Sequence, residues 1–213
     1  MYRPEWINLL QSPAFLTISD LWIERGERVL CKGLNFNVSV GEIVRVLGDN
    51  GAGKSSLLKV IAGVIPSLEG CIYYFGQDIT QDHSRLQQDT LYIGHLSGVK
   101  NMLTVEENLR WHCPDVTTDK LHSTLSILGL LPLLSTSIKS LSAGQVRRVA
   151  LSRLWIQRKK LWLLDEPFVS LDAEGVAILE NHMKQHVVAG GVVILTTHQA
   201  LTSIHSRDID LLS

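Results

Sequence analysis

Gly48-Asp49-Asn50-Gly51-Ala52-Gly53-Lys54-Ser55 decides the fold. The spacing is Gly, four residues, then Gly-Lys-Ser. A short β-rich apolar run, residues 43–47, leads into it, and a helical pattern over residues 54–62 follows. Glycines adopt left-handed dihedrals freely, so backbone N–H groups can turn inward around phosphate oxygens. The N-terminus of the next helix adds partial positive charge at the same point. Lys54 supplies a full charge to the β- and γ-phosphates, the Ser55 hydroxyl ligates Mg²⁺, and Ser56 completes the phosphate-facing set. A glycine-rich turn that binds nothing is the bland alternative; the strand before and the helix after argue against it.

Downstream, Leu161-Trp162-Leu163-Leu164-Asp165-Glu166-Pro167 is an apolar strand pattern ending in two acids. Asp165 is expected at a buried strand tip, where it holds the Mg²⁺ shell. Glu166 points the opposite way or just past the strand and can polarise water as a general base. Between the two motifs, Leu141-Ser142-Ala143-Gly144-Gln145 opens a helix. Small residues there leave free N–H groups for an anion. Read alone, it is an ordinary helix cap.

The remaining chain fits an α/β domain. Strand patterns fall at residues 15–18, 21–23, 34–40, 71–75, 91–93, 161–164 and 192–196. Thr104-Val105-Glu106-Glu107 reads as a capping box for a helix that Pro114 stops. Further helices are expected at residues 118–128, with Gly129 just past the end, at 142–157 and at 173–188. Strand-rich ends thus enclose a helical block near residues 95–155. The stretch up to about Pro13 reads as a loosely attached extension.

Composition excludes several classes. Lys and Arg number 20 against 21 Asp and Glu, so the formal net charge is −1, and no basic nucleic-acid surface is implied. Hydrophobic residues at 45% and charged residues at 19% suit a globular chain. No run of about 18 apolar residues spans a membrane, and the N-terminus lacks the apolar core of a signal peptide. Cys31, Cys71 and Cys113 are odd in number and far apart, which fits reduced, mostly buried thiols.

Taken in order, the motifs resemble those of the ATP-binding-cassette (ABC) ATPases over nearly the whole chain. Residues 141–145 are similar to that family's signature motif, with Ala143 where Gly is commonest. Val169-Ser170-Leu171-Asp172 looks like its D-loop, and His198 after the last strand like its switch histidine. The resemblance implies a P-loop NTPase fold of the ABC-ATPase type with an antiparallel β subdomain. On this reading residues 1–213 form one domain: about 1–94 and 156–213 as core, about 95–155 as helical subdomain. It further implies ATP as substrate and Mg²⁺ as cofactor. Two copies would sandwich two ATP molecules head to tail, with Lys54, Asp165 and Glu166 of one facing Ser142 and Gly144 of the other; the resemblance also counts His198, Gln145 and Asp172 among the site residues.

Two positions depart from the family pattern. His95 holds the place of a glutamine that meets Mg²⁺ and the attacking water. Arg25 holds the place of the aromatic residue that stacks on adenine, and a guanidinium can stack on a purine face. Tyr92-Ile93-Gly94-His95, residues 103–109, 141–155, 161–168 and 190–199 together resemble the ATPase subunit of the bacterial cytochrome c maturation system, the haem exporter. That resemblance implies docking on separate integral membrane subunits through about residues 95–103, at the cytoplasmic face of the inner membrane. No histidine is assigned to direct haem ligation. Arg147, Arg148, Arg153, Arg158, Lys159 and Lys160 would suit anionic lipid, but helix packing is the better reading. The resemblance leaves another ABC exporter as the alternative; soluble ABC proteins and GTP switches fit the chain less well.

Overall fold

The computed structural model describes residues 14–26, 28–199, 201 and 203–211; the expected N-terminal extension lies outside them. Five parallel strands form the central sheet: β3 (Ile43–Leu47), β6 (Thr90–Ile93), β7 (Leu161–Asp165), β8 (Val192–Thr196) and β9 (Arg207–Asp210), in the order β6-β7-β8-β3-β9. Every residue of β7 and β8 is buried, which is why both read as unbroken apolar runs with no alternation. The helix α1 (Lys54–Ile61) buries Leu57, Leu58, Val60 and Ile61 in the same apolar cluster as Leu161, Leu163 and Ile194. The phosphate loop is thereby fixed at the carboxyl end of a central strand, where open α/β sheets place ligands.

A second, antiparallel sheet contains β1 (Leu16–Arg25), β2 (Arg28–Val38), β4 (Glu69–Tyr74) and β5 (Gln77–Asp78), in the order β2-β1-β4-β5. The sequence splits β1 into two pieces because its register slips between Ile18 and Leu21. Asp20 sits there with φ 49°, its N–H donating to the Asn35 side chain at 2.9 Å. A Cβ on Gly70 would lie 2.3 Å from the Asp20 carbonyl oxygen, so only glycine passes beneath this irregularity.

The helical block carries its own apolar cluster, which includes Val105, Leu109, Leu121, Leu125, Ile138 and Val149. Its helices are α3 (Val105–His112), α4 (Thr118–Ile127), α5 (Ala143–Leu151) and α6 (Arg153–Ile156). Thr104 and Glu107 form the expected capping box, and Gly129 takes φ 67° after α4. The helix expected over 142–157 is two helices. They meet at buried Ser152, whose hydroxyl donates to the Val149 carbonyl at 2.7 Å and competes with the backbone ladder. The short α2 (Ser84–Asp89) and edge strand β9 escape sequence patterning; β9 buries only Ile209 and is pinned by Arg45 pairing with Asp208 at 2.7 Å.

The six basic residues do not form one face. Arg147 and Arg153 are buried, Lys159 donates to the Gln88 carbonyl, and Lys160 pairs with Asp89. The cysteines are unpaired, Cys31 and Cys113 buried and Cys71 half-buried.

The helix α7 (Ala173–Val188) packs two histidines, one turn apart, on tryptophan faces. Trp155 stacks on His182 at 3.9 Å and Trp162 on His186 at 3.7 Å between ring centroids. Burial lowers the pKa of both, His186 from 6.5 to about 4. Unfolded chains take up these protons first, so stability holds above pH 6.5 and falls as pH drops toward about 4. The loss should be on the order of 1–2 kcal/mol, reduced from the full shift by the ring's partial exposure. Urea midpoints across this range should show it, and His186→Gln should flatten the slope; a wild-type slope in that variant contradicts the assignment.

Candidate functional site

The loop between β3 and α1 bends through left-handed dihedrals at Gly51, φ 86°, and Gly53, φ 101°. A Cβ at Gly53 would press on Leu30 at 3.0 Å, whereas one at Gly51 would meet no atom within 4 Å. The loop is therefore packed on one side and open on the other, as an anion cradle requires. No acidic residue sits in the first turn of α1; the carboxylate that approaches it is that of Asp165, from the neighbouring strand. Lys54 is 8% exposed, and its Nζ donates to the carbonyls of Gly48 at 2.6 Å and Asp49 at 3.0 Å. Both acceptors are neutral, which leaves the ammonium charge for a bound anion.

The parallel register puts Asp165 opposite Thr196 at the same end of the sheet. The Asp165 Oδ1 accepts from Ser55 Oγ at 3.0 Å and from Thr196 Oγ1 at 2.8 Å, and the residue is 3% exposed. These hydroxyl and carboxylate oxygens are hard donors, and the set fits Mg²⁺. Next to them, burial and the Asp165 charge push the Tyr92 hydroxyl up to about 12, so it stays protonated. The backbone turns sharply at Glu166, φ 49°, whose N–H donates to Thr196 Oγ1 at 2.9 Å. Its Oε1 lies 3.6 Å from Nε2 of the exposed His198. Thr196 is the member that sequence reading missed. A threonine ending an apolar strand carries no signal until the sheet order is known.

His95 is exposed and lines a cavity of about 310 Å³ with Glu166, Ala143 and Ser170. An imidazole is a weaker match to Mg²⁺ than an oxygen ligand. Arg25, exposed at the end of β1, lines a cleft with Ser55, Ser56, Lys59 and Pro66. Asn50 and Asp49 are exposed on the loop, and Ala52 is half-buried.

Ser142 caps α5. Its hydroxyl accepts from the Gln145 N–H at 3.2 Å, and its own N–H donates to Gln145 Oε1 at 2.9 Å. Gly144 is required by packing, since a Cβ there would lie 2.6 Å from the Ser170 carbonyl oxygen. Asp172 caps α7 by accepting from the Gly175 N–H at 2.9 Å and pairs with Arg148 at 2.5 Å. The Gly175 bond and Arg148 together hold its carboxyl below the usual range. The start of α5 thus sits against the Ser170 carbonyl, and its last turn is tied through Arg148 to the start of α7. Ser142 and Gln145 bond each other rather than joining the Lys54–Asp165 cluster.

Residues 31–169 match the family described as ABC transporter. The cytochrome c biogenesis ATP-binding export protein CcmA of Pseudomonas fluorescens is 41% identical over 207 residues, covering 95% of this chain and 98% of its own. The protein of the same name from Escherichia coli is 43% identical over 192 residues, covering 90% and 93%. Among solved structures, an ATP binding subunit of an ABC transporter superposes with a TM-score of 0.77 at 26% identity, covering 86% of this chain and 79% of that one. With a phosphate loop, an acid pair and a capped small-residue helix set on this sheet, the chain belongs to the ABC transporter family as an ATP-hydrolysing subunit, and within it to the cytochrome c biogenesis ATP-binding export proteins.

Proposed function

We propose that this chain drives haem export for c-type cytochrome assembly by hydrolysing MgATP at a site completed by a second copy of itself. One observation carries the catalytic part: Ser55, Asp165 and Thr196 share a single buried carboxylate oxygen, directly beside the Glu166–His198 pair. The loop N–H groups of residues 48–55 and the Lys54 ammonium hold the β- and γ-phosphates. Ser55 and Asp165 would hold Mg²⁺, which when bound would neutralise phosphate charge. Glu166 takes the proton of the attacking water as oxygen bonds to the γ-phosphorus. The bond to the bridging oxygen breaks, and ADP and phosphate leave. His198, within reach of Glu166, steadies the carboxylate and the phosphate charge. His95 borders the same space, and Arg25 stacks on adenine.

Ser142, Gly144 and Gln145 act on the nucleotide of the other copy. Ser142 is exposed at a helix start whose first turn carries no acid, which suits a phosphate arriving from outside. Asp172 lies beside that face. Among the described residues no helix is long and apolar enough to cross a membrane. By its family membership the chain attaches to separate integral membrane subunits and is peripheral on the cytoplasmic face of the inner membrane. Residues 95–155 form the helical subdomain that receives them, between core segments 1–94 and 156–213. Leu96 and Met102, 87% and 81% exposed, are apolar side chains suited to such a contact. Haem as cargo is supported by the names of the relatives and by the motif resemblance. No haem ligand and no nucleic-acid contact is assigned on this chain.

Glu166→Gln keeps size and hydrogen bonding but removes the base. Hydrolysis should slow by about 10²–10⁴-fold while ATP affinity persists. An ATP-bound dimer should accumulate on gel filtration with MgATP, and wild-type turnover in the variant would move the base elsewhere. Ser142→Arg should stop turnover by obstructing closure of the two copies, with ATP binding to the single chain near wild type. Parallel loss of both would rule out a shared site. Deleting the gene should empty the cell of c-type cytochromes on haem-stained gels, and wild type but not Glu166→Gln should restore them. Intact cytochromes would remove the haem assignment and leave the ATPase.

A further inference from the structure

Arg147 lies on α5, 7% exposed. Its Nη2 donates to the carbonyls of Asp165 and Glu166, each at 2.9 Å, and its Nε to that of Pro167 at 3.3 Å. Its Nη1 donates to the Gly94 carbonyl at 3.1 Å. One planar guanidinium thus gathers three consecutive carbonyls of the acid-pair turn and the carbonyl just before His95. Burial pulls its pKa down, and the neighbouring Asp165 and Glu166 charges oppose that pull.

Packing alone does not call for this fork. The α5 helix is already fastened by the close approach of Gly144 to the Ser170 carbonyl at its start and by the Arg148–Asp172 pair in its last turn, and its apolar side by Val149 in the helical cluster. The acid-pair turn, in contrast, needs support. A non-glycine residue at φ 49° is strained and persists only where its surroundings hold it. The three carbonyls bound by Arg147 fix the peptide planes on both sides of Glu166, and so fix where its carboxylate points relative to His198. The segment around His95 is held from the same helices at a second point, Arg153 Nη2 donating to the Ser97 carbonyl at 3.2 Å.

We propose that Arg147 is a positioning residue for ATP hydrolysis. By holding the carbonyls of residues 165–167 and of Gly94 in one fork, it sets the Glu166 carboxylate against the loop that carries His95. This rests on the reading of Glu166 as general base. A lysine has three donors at one point and cannot span these four acceptors.

The test uses the full chain with MgATP and reads kcat and ATP affinity separately. Arg147→Gln should lower kcat by about 10–100-fold, the scale of a misplaced catalytic group, with ATP affinity near wild type. Arg147→Lys should fail to restore it. In the Glu166→Gln background, adding Arg147→Gln should cause no further loss, because the group it positions is gone. Near-wild-type kcat in Arg147→Gln, or multiplied losses in the double variant, overturns the proposal while Glu166 keeps its role. If Arg147→Gln does not fold, Arg147→Lys decides, and full turnover there overturns it. Wild-type turnover in Glu166→Gln overturns the base reading and this proposal together.

Discussion

The Asp165 carboxylate is buried at the end of β7, and its Oδ1 accepts from hydroxyls on two other elements, Ser55 of α1 and Thr196 of β8. An ionised carboxylate out of water is tolerated only when it is paired or well hydrogen bonded, and each charge-assisted bond contributes about 1.5–3 kcal/mol. Those two bonds therefore tie the phosphate-loop helix, the acid strand and the strand before His198 at one point. Thr196 does more than donate. Its hydroxyl also accepts from the Glu166 N–H, so one side chain fixes the carboxylate and the turn that follows it. Displacing β8 by one residue along β7 in the direction that brings Leu195 opposite Asp165 would leave a buried carboxylate short of a donor.

Around that point the molecule divides into packing units. The central sheet has apolar clusters on both faces, while α3, α4 and the outer side of α5 share a separate one. Gly144 packs closely under Ser170, and polar contacts join the helical unit to the acid-pair end of the sheet: Arg147 on the acid-pair turn and Arg148 on Asp172. Directional bonds of this kind transmit position more faithfully than apolar contact, since each fixes an angle as well as a distance. A helical unit carrying exposed Leu96 and Met102 is thereby linked to the residues proposed to act on ATP.

The Trp155–His182 and Trp162–His186 stacks lie away from the site and show a different use of histidine. Both rings are packed as neutral aromatic plates, and burial keeps them so. His198, in contrast, is exposed beside a carboxylate. Position in the fold, not residue type, separates the two uses.

The sequence alone determined the α/β class, the phosphate loop, the acid pair and most element bounds. Those features depend on local spacing: glycines where the chain must bend left-handed, apolar runs where strands are covered on both faces, and caps such as Thr104 and Asp172 that close a helix within one turn. Tertiary structure alone decided the rest. The break at Ser152 and the slip at Asp20 arise where a side chain or a neighbouring strand competes with the local ladder. The short α2 and the edge strand β9 bury too little apolar surface to leave a pattern. Thr196 and Arg147 were invisible for a further reason. Their partners lie 31 residues away for Thr196 and 18 to 53 for Arg147, and only the sheet order and the seating of α5 bring them within bonding distance.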